Sequence, residues 1–172
     1  MGKYESQREI EKEIEKFLPR TQEIYAGYKL ARQNLGNEGS FRMNQIFEYN
    51  LPKAIEDDEF YLEGFWESQP EFLRHAGNGK GKIVLRFVGK EINIVAESLG
   101  NEGIEIEVLL DGKPLDKQNS GRDVKIQNSK SIIAVNAAKM YNVVSGKGKY
   151  GIYTIEFIVN SPDFAWYAFT FG

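Results

Sequence analysis

Four residues of this sequence carry recognition chemistry: Trp66, Arg86, Tyr141 and Trp166. An exposed aromatic ring offers a flat face on which the CH groups of a sugar, or a cation, can stack. A guanidinium fork matches a carboxylate or a pair of hydroxyls. Together the four would make a ligand-binding surface of carbohydrate type. Each also has a structural reading, since a Trp in an alternating strand is more often core and a strand Arg usually lies on a solvated face. Tyr61, Tyr150 and Tyr153 share that ambiguity, with Tyr150, beside a Gly-rich loop, the nearest of them to exposure. Arg122-Asp123 follows Gly121 at a strand start, where Asp more often satisfies a turn amide than a ligand.

Other chemistries find less support. Asp57-Asp58-Glu59 supplies oxygen donors but lacks the ordered alternation of an EF-hand, so it reads as a solvated acidic turn. Gly77 to Lys82 and Gly146 to Lys149 resemble phosphate-cradling loops in composition only, without the P-loop spacing or a following helix, and read as hairpin tips. There is no cysteine, which excludes thiol chemistry by this chain, and a single histidine, His75, too few for a His-rich metal site. No catalytic residue, metal or cofactor is expected, although a pair of carboxylates for glycoside hydrolysis depends on a separation that only the fold sets. Twenty-two basic residues against 25 acidic ones, a net charge of -3, lack the footprint of a nucleic-acid binder. No apolar run approaches the length of a membrane span, so no membrane contact is expected.

These residues must be positioned by strands. From Phe41 onward the hydrophobic period is two: Ile83, Leu85 and Phe87 alternate with Lys82, Val84 and Arg86, and Ile104, Ile106 and Val108 with Glu105 and Glu107. Strands are predicted over 41–49, 60–68, 71–76, 82–88, 92–97, 104–110, 124–127, 131–135, 141–144 and in a final pair within 150–172. Asp111-Gly112 marks a tight turn, because both central positions of that turn need positive φ. Apolar groups on both faces of Phe164–Phe171 place this last strand inside a sheet.

The fold class expected is all-β, a jelly-roll-like β-sandwich over 41–172 with one N-terminal α-helix. Ile10, Ile14, Phe17 and Leu18 make a narrow apolar stripe on that helix, which Pro19 stops. Residues 20–40 read as a linker with one helical turn near 29–34. Leu-Gly-Asn-Glu-Gly occurs at 35–39 and again at 99–103, which reads as repeated turn chemistry. A helix this short is marginal alone, so its stripe is expected to pack across residues 24–55 or against a second copy, making a homodimer through residues 4–18.

Several motifs, in order, resemble one family. They are Tyr61-Leu62-Glu63-Gly64-Phe65-Trp66, Ile83 to Phe87, Leu110-Asp111-Gly112-Lys113-Pro114, Gly121-Arg122-Asp123-Val124, Met140-Tyr141-Asn142-Val143-Val144 and the ending Trp166-Tyr167-Ala168-Phe169-Thr170-Phe171-Gly172. The pattern is similar to the C-terminal domain of DipZ-type thioredoxin-like proteins, and Thr21 to Tyr28 resembles the family's linker motif. The resemblance implies a jelly roll like that of carbohydrate-binding modules, a preceding thioredoxin-like domain as partner, a link to cytochrome c biogenesis and an extracytoplasmic setting. Residues 1–19 would then be the last helix of that preceding domain. The function implied is a non-catalytic module that docks a carbohydrate or a protein beside a thiol-disulfide oxidoreductase. The alternative is an interaction or dimerisation domain without a small ligand.

Overall fold

The computed structural model describes residues 2–31, 34–77 and 79–172. Among these residues one helix, α1 (Gly2–Glu15), precedes thirteen strands: β1 (Ile24–Tyr25), β2 (Ile46–Tyr49), β3 (Phe60–Ser68), β4 (Leu73–His75), β5 (Gly81–Gly89), β6 (Ile92–Ser98), β7 (Ile104–Leu110), β8 (Lys113–Pro114), β9 (Val124–Gln127), β10 (Lys130–Val135), β11 (Lys139–Val144), β12 (Gly151–Val159) and β13 (Phe164–Phe171). All the strand pairs are antiparallel.

Two sheets form, one in the order β11-β6-β13-β4-β3-β2 with β1 also on β13, the other β3-β5-β12-β7-β10-β9 with β8 on β7. β3 belongs to both. Phe60 to Glu63 pair with β5, Trp66 to Ser68 pair with β4, and the change of partner falls at Gly64, where φ is +90° and an added Cβ would sit 2.8 Å from the Lys80 carbonyl oxygen. Glycine permits that corner. Beyond it the chain crosses repeatedly between the sheets, with β5, β7 to β10 and β12 in one and β4, β6, β11 and β13 in the other. The result is a jelly-roll β-sandwich whose facing rows fill one core.

The core follows from the period of two. Ile83, Leu85 and Phe87 of β5 and Ile155, Phe157 and Val159 of β12 face Ile92, Ile94 and Ala96 of β6 and the aromatic row of β13. The interior position of β13 agrees with the sequence, since β6 pairs with one edge while β4 and β1 pair with the other. Its strict alternation does not hold. The ladder to β6 skips Tyr167, so Phe164 and Trp166 before the bulge, and Phe169 and Phe171 after it, all point inward.

Residues 20–40, expected as a linker, are packed into the sandwich. Ile24, Ala26 and Leu35 are buried, Thr21 and Val88 exchange two hydrogen bonds of 3.0 and 2.8 Å, and the Ala26 amide donates to Tyr167 (2.9 Å). The Leu30 and Ala31 amides turn back onto Gly27; Arg32 and Gln33 of the expected helical turn, and Asn78 of the Gly77 to Lys82 tip, lie outside the described residues. The strand predicted over 41–49 is shortened to β2, because Asn44 takes positive φ and the Gln45 amide closes a turn on Arg42.

α1 corrects a further expectation. It does not lie across residues 24–55: Glu15 pairs with Lys90 (2.6 Å), the Tyr150 hydroxyl donates to the Pro19 carbonyl (2.5 Å), and Ile10, Ile14 and Phe17 stay exposed, Phe17 at 85%. The helix therefore meets the sandwich through polar groups.

His75 is fully buried against Trp66, its Nδ1 donating to the Ser161 carbonyl at 3.0 Å, while Nε2 has no partner among the described residues. Burial lowers its pKa below the usual 6.5 for histidine; the Ser161 carbonyl opposes that shift and the Arg74 charge adds to it. A lowered folded pKa means that the unfolded chain binds the proton more tightly. His75 thus contributes full stability above about pH 6.5, lost as the pH falls toward the depressed folded value. Melting temperature should drop more steeply below pH 6.5 in the native protein than in His75→Gln; identical slopes would show that the imidazole is not the acid-sensitive group.

Candidate functional site

The residues singled out from the sequence do not form a surface. Trp66 and Trp166 are 0% exposed: the Trp66 indole donates to the Glu63 carbonyl (2.9 Å), and Trp166 packs on Phe60 and Phe169 with ring centroids at 4.7 and 4.4 Å. Tyr141, at 2%, turns its hydroxyl to the Ala137 carbonyl (2.8 Å) and carries the Lys139 ammonium over its ring (4.6 Å). No face of these three rings is open to a ligand. The aromatic mass that reads as a recognition surface is the glue between the sheets.

Arg86 is on the outer face of β5, but its Nε pairs with Asp57 at 2.9 Å. The whole acidic turn is zipped to β5, since the Asp58 amide donates to the Arg86 carbonyl (3.0 Å) and the Asp58 carboxylate accepts from Thr21. The guanidinium is a clasp for that turn.

Polar groups converge elsewhere, on the outer face of the sheet that contains β13. Ile92 and Ile94 point inward, so Asn93 between them points out, directly opposite Asn142 of β11 and Thr170 of β13 in the ladder. The three side chains form a row. Asn142 Nδ2 donates to Asn93 Oδ1 (2.8 Å), Asn93 Nδ2 to Thr170 Oγ1 (3.2 Å), and both amides to Glu91 Oε1 (3.2 and 3.3 Å). Glu91 is fixed from the chain end: its amide and that of Lys90 donate to the Gly172 carbonyl, and the Gly172 amide returns a bond to the Glu91 carbonyl (3.1 Å). β11 bulges between Asn142 and Val144, a device that re-aims side chains beside a site.

A loop forms the rim. The Arg122 amide donates to Asn142 Oδ1 (3.0 Å), the Asn142 amide to Asp123 (2.7 Å), and the Gly121 amide to the Val143 carbonyl (2.7 Å). A methyl at Gly121 would lie 2.3 Å from the Asn142 carbonyl oxygen, so only glycine admits this approach. Asp123 thus plays the structural part expected of it, while Arg122, 77% exposed, extends over a well of about 350 Å³ also lined by Met140, Ser145 and Lys147.

The amides spend their N–H groups within the row, so the well is left with acceptor oxygens on Glu91, Asn93 and Asn142 and a guanidinium donor at its rim, groups that the hydroxyls of a polyhydroxyl ligand can satisfy. Glu91, Asn93, Asn142 and Thr170 were missed by sequence reasoning. The available signal was Asn at the centre of two strands, Ile92-Asn93-Ile94 and Tyr141-Asn142-Val143, where this residue type is depleted. A larger recess of about 530 Å³ beside β2 is less apt, because its aromatic wall, Phe47, is capped by Arg42 at 4.8 Å. Among the described residues no helix is long and apolar enough to cross a membrane.

A family model described as thioredoxin like C-terminal domain matches residues 21–172. No curated protein matches the sequence. Among solved structures, a family two carbohydrate esterase from Clostridium thermocellum, in complex with cellohexaose, is similar at 20% identity and TM-score 0.46 over 62% of this chain. A family two carbohydrate esterase from Cellvibrio japonicus is similar at 14% identity and TM-score 0.39 over 73% of this chain. A GH26-CBM35 beta-(1,4)-mannanase from Podospora anserina is similar at 11% identity and TM-score 0.40 over 87%. This chain spans 29%, 29% and 27% of their respective lengths.

Proposed function

The chain belongs to the thioredoxin-like C-terminal domain family, and from that premise we propose that it is a non-catalytic binding module for a polyhydroxyl ligand, a carbohydrate, appended to a thioredoxin-like redox domain. Without cysteine it supplies no thiol chemistry of its own. The observation that carries the reading is the row Asn142–Asn93–Thr170 with Glu91, whose amides are already oriented by one another before a ligand arrives. Such preorganisation lowers the ordering cost of binding. Calorimetric titration with neutral and acidic oligosaccharides should give saturable binding that Asn142→Ala weakens about tenfold, the effect of losing one or two hydrogen bonds. No binding to either class at millimolar ligand would remove the carbohydrate reading.

A second reading, docking of a protein, is favoured by the exposed stripe Ile10, Ile14 and Phe17. For a self-complementary helix pair, the mass in solution should be that of a dimer and fall to a monomer in Ile14→Glu with Phe17→Glu. A monomer for the native chain would leave the stripe to a different protein, such as the redox domain.

A further inference from the structure

The charges around the well are unevenly satisfied. Asp123 accepts from the Asn142 amide and lies 3.7 Å from both Arg122 Nε and Lys139 Nζ, and Glu91 Oε1 takes two amide donors. Among the described residues the Lys147 ammonium has no ion pair, and the terminal nitrogens of the Arg122 fork make no hydrogen bond. Among the same residues Glu91 Oε2 likewise accepts none.

We propose that the well selects an acidic saccharide, with a uronate carboxylate held by Arg122 and Lys147 and ring hydroxyls on Glu91, Asn93 and Asn142. The inference rests on the reading of the well as a carbohydrate site and deepens it. A fork and an ammonium on the rim match a planar carboxylate, which Arg binds through two parallel N–H donors. The Glu91 carboxylate argues against a simple anion, because a phosphate or acetate that reached the amide row would meet a like charge there. A uronate satisfies both ends, presenting its negative group to the rim and neutral hydroxyl donors to Glu91 Oε2. Met140, exposed on the same face and accepting from Thr170 at 3.5 Å, adds an apolar surface for ring CH groups.

The test is a titration of the native protein with a glucuronate-containing oligosaccharide, its neutral counterpart, and inorganic phosphate. The acidic sugar should bind about 5- to 10-fold more tightly than the neutral one at low salt, two partly exposed charge contacts being worth no more, and the margin should shrink as salt rises. Arg122→Gln with Lys147→Gln should erase the margin, bringing the affinity for the acidic sugar down to that for the neutral one at an unchanged melting temperature, since neither side chain is part of the core. Equal binding of both sugars would overturn the acidic preference and leave the carbohydrate site standing. Binding of neither would fail the site itself. Phosphate binding as tight as that of the uronate would show a simple anion site and overturn the proposal.

Discussion

Removal of Phe169–Gly172 is expected to leave a chain with no cooperative thermal transition. Phe169 is fully buried, stacked on Phe157 at 5.3 Å and against Trp166 at 4.4 Å, and Phe171 reaches Phe87 at 5.6 Å. Burial of the Phe169 ring is worth about 1.5–3 kcal/mol before any cavity is counted, and the half-buried Phe171 adds less. The truncation also strips Ile92, Asn93 and Ile94 of their ladder partners on β13, and Ile24 of β1 loses its partner Phe169. Set against a domain stability of roughly 5–15 kcal/mol, these losses exceed what the fold can absorb. Circular dichroism and calorimetry read the outcome, and a melt near the native temperature would show that the end of β13 is peripheral. The milder Phe169→Ala should lower stability by about 3–5 kcal/mol while retaining a transition.

The truncation reaches the well as well as the core. Gly172 pins the backbone of Lys90 and Glu91, and Thr170 closes the amide row, so the same four residues hold together the sandwich and one wall of the candidate site. A ligand at the well should accordingly raise the melting temperature, since it binds only where β6, β11 and β13 are adjacent. Phe169→Ala lies beneath the row, and it offers a route by which core damage would weaken binding without touching a polar group.

The architecture was legible where one face of a strand is dry and the other wet. Ile83, Leu85 and Phe87 declare an inner face, and the aromatic density at 164–171 declares an interior strand. The bulge at Tyr167 was not legible, because an extra residue changes which side chains share a face without changing composition. The site was hidden for a related reason. Trp66, Trp166 and Tyr141 are the residue types that stack on sugars and equally the types that weld two sheets, and only the depth at which each sits separates these uses. Asn93 and Asn142 are marked in sequence only as a residue type depleted at mid-strand. Their meaning comes from β11, β6 and β13 lying side by side in non-sequential order, which sets residues 93, 142 and 170 in one row.

Asn37→Ala is expected to destabilise the domain by about 2–5 kcal/mol, far more than an amide in a linker would. Its side chain clamps three backbone groups: Nδ2 donates to the carbonyls of Asn50 (2.9 Å) and Leu62 (2.8 Å), and Oδ1 accepts from the Leu62 amide (2.7 Å). Alanine would leave the Leu62 groups buried and unpaired, at about 1–3 kcal/mol each. The twin string at 99–103 supplies the internal control. There Asn101 lies on an exposed loop between β6 and β7, and Asn101→Ala should change stability by less than about 0.5 kcal/mol. Urea titration of the two variants gives the comparison directly, and equal midpoints would show that the 35–39 segment is not held in the fold. The five residues are identical in both places, so the difference belongs to their partners: the first string meets β3, where Asn37 takes the amide and carbonyl of Leu62, whereas the second turns the chain from one sheet to the other.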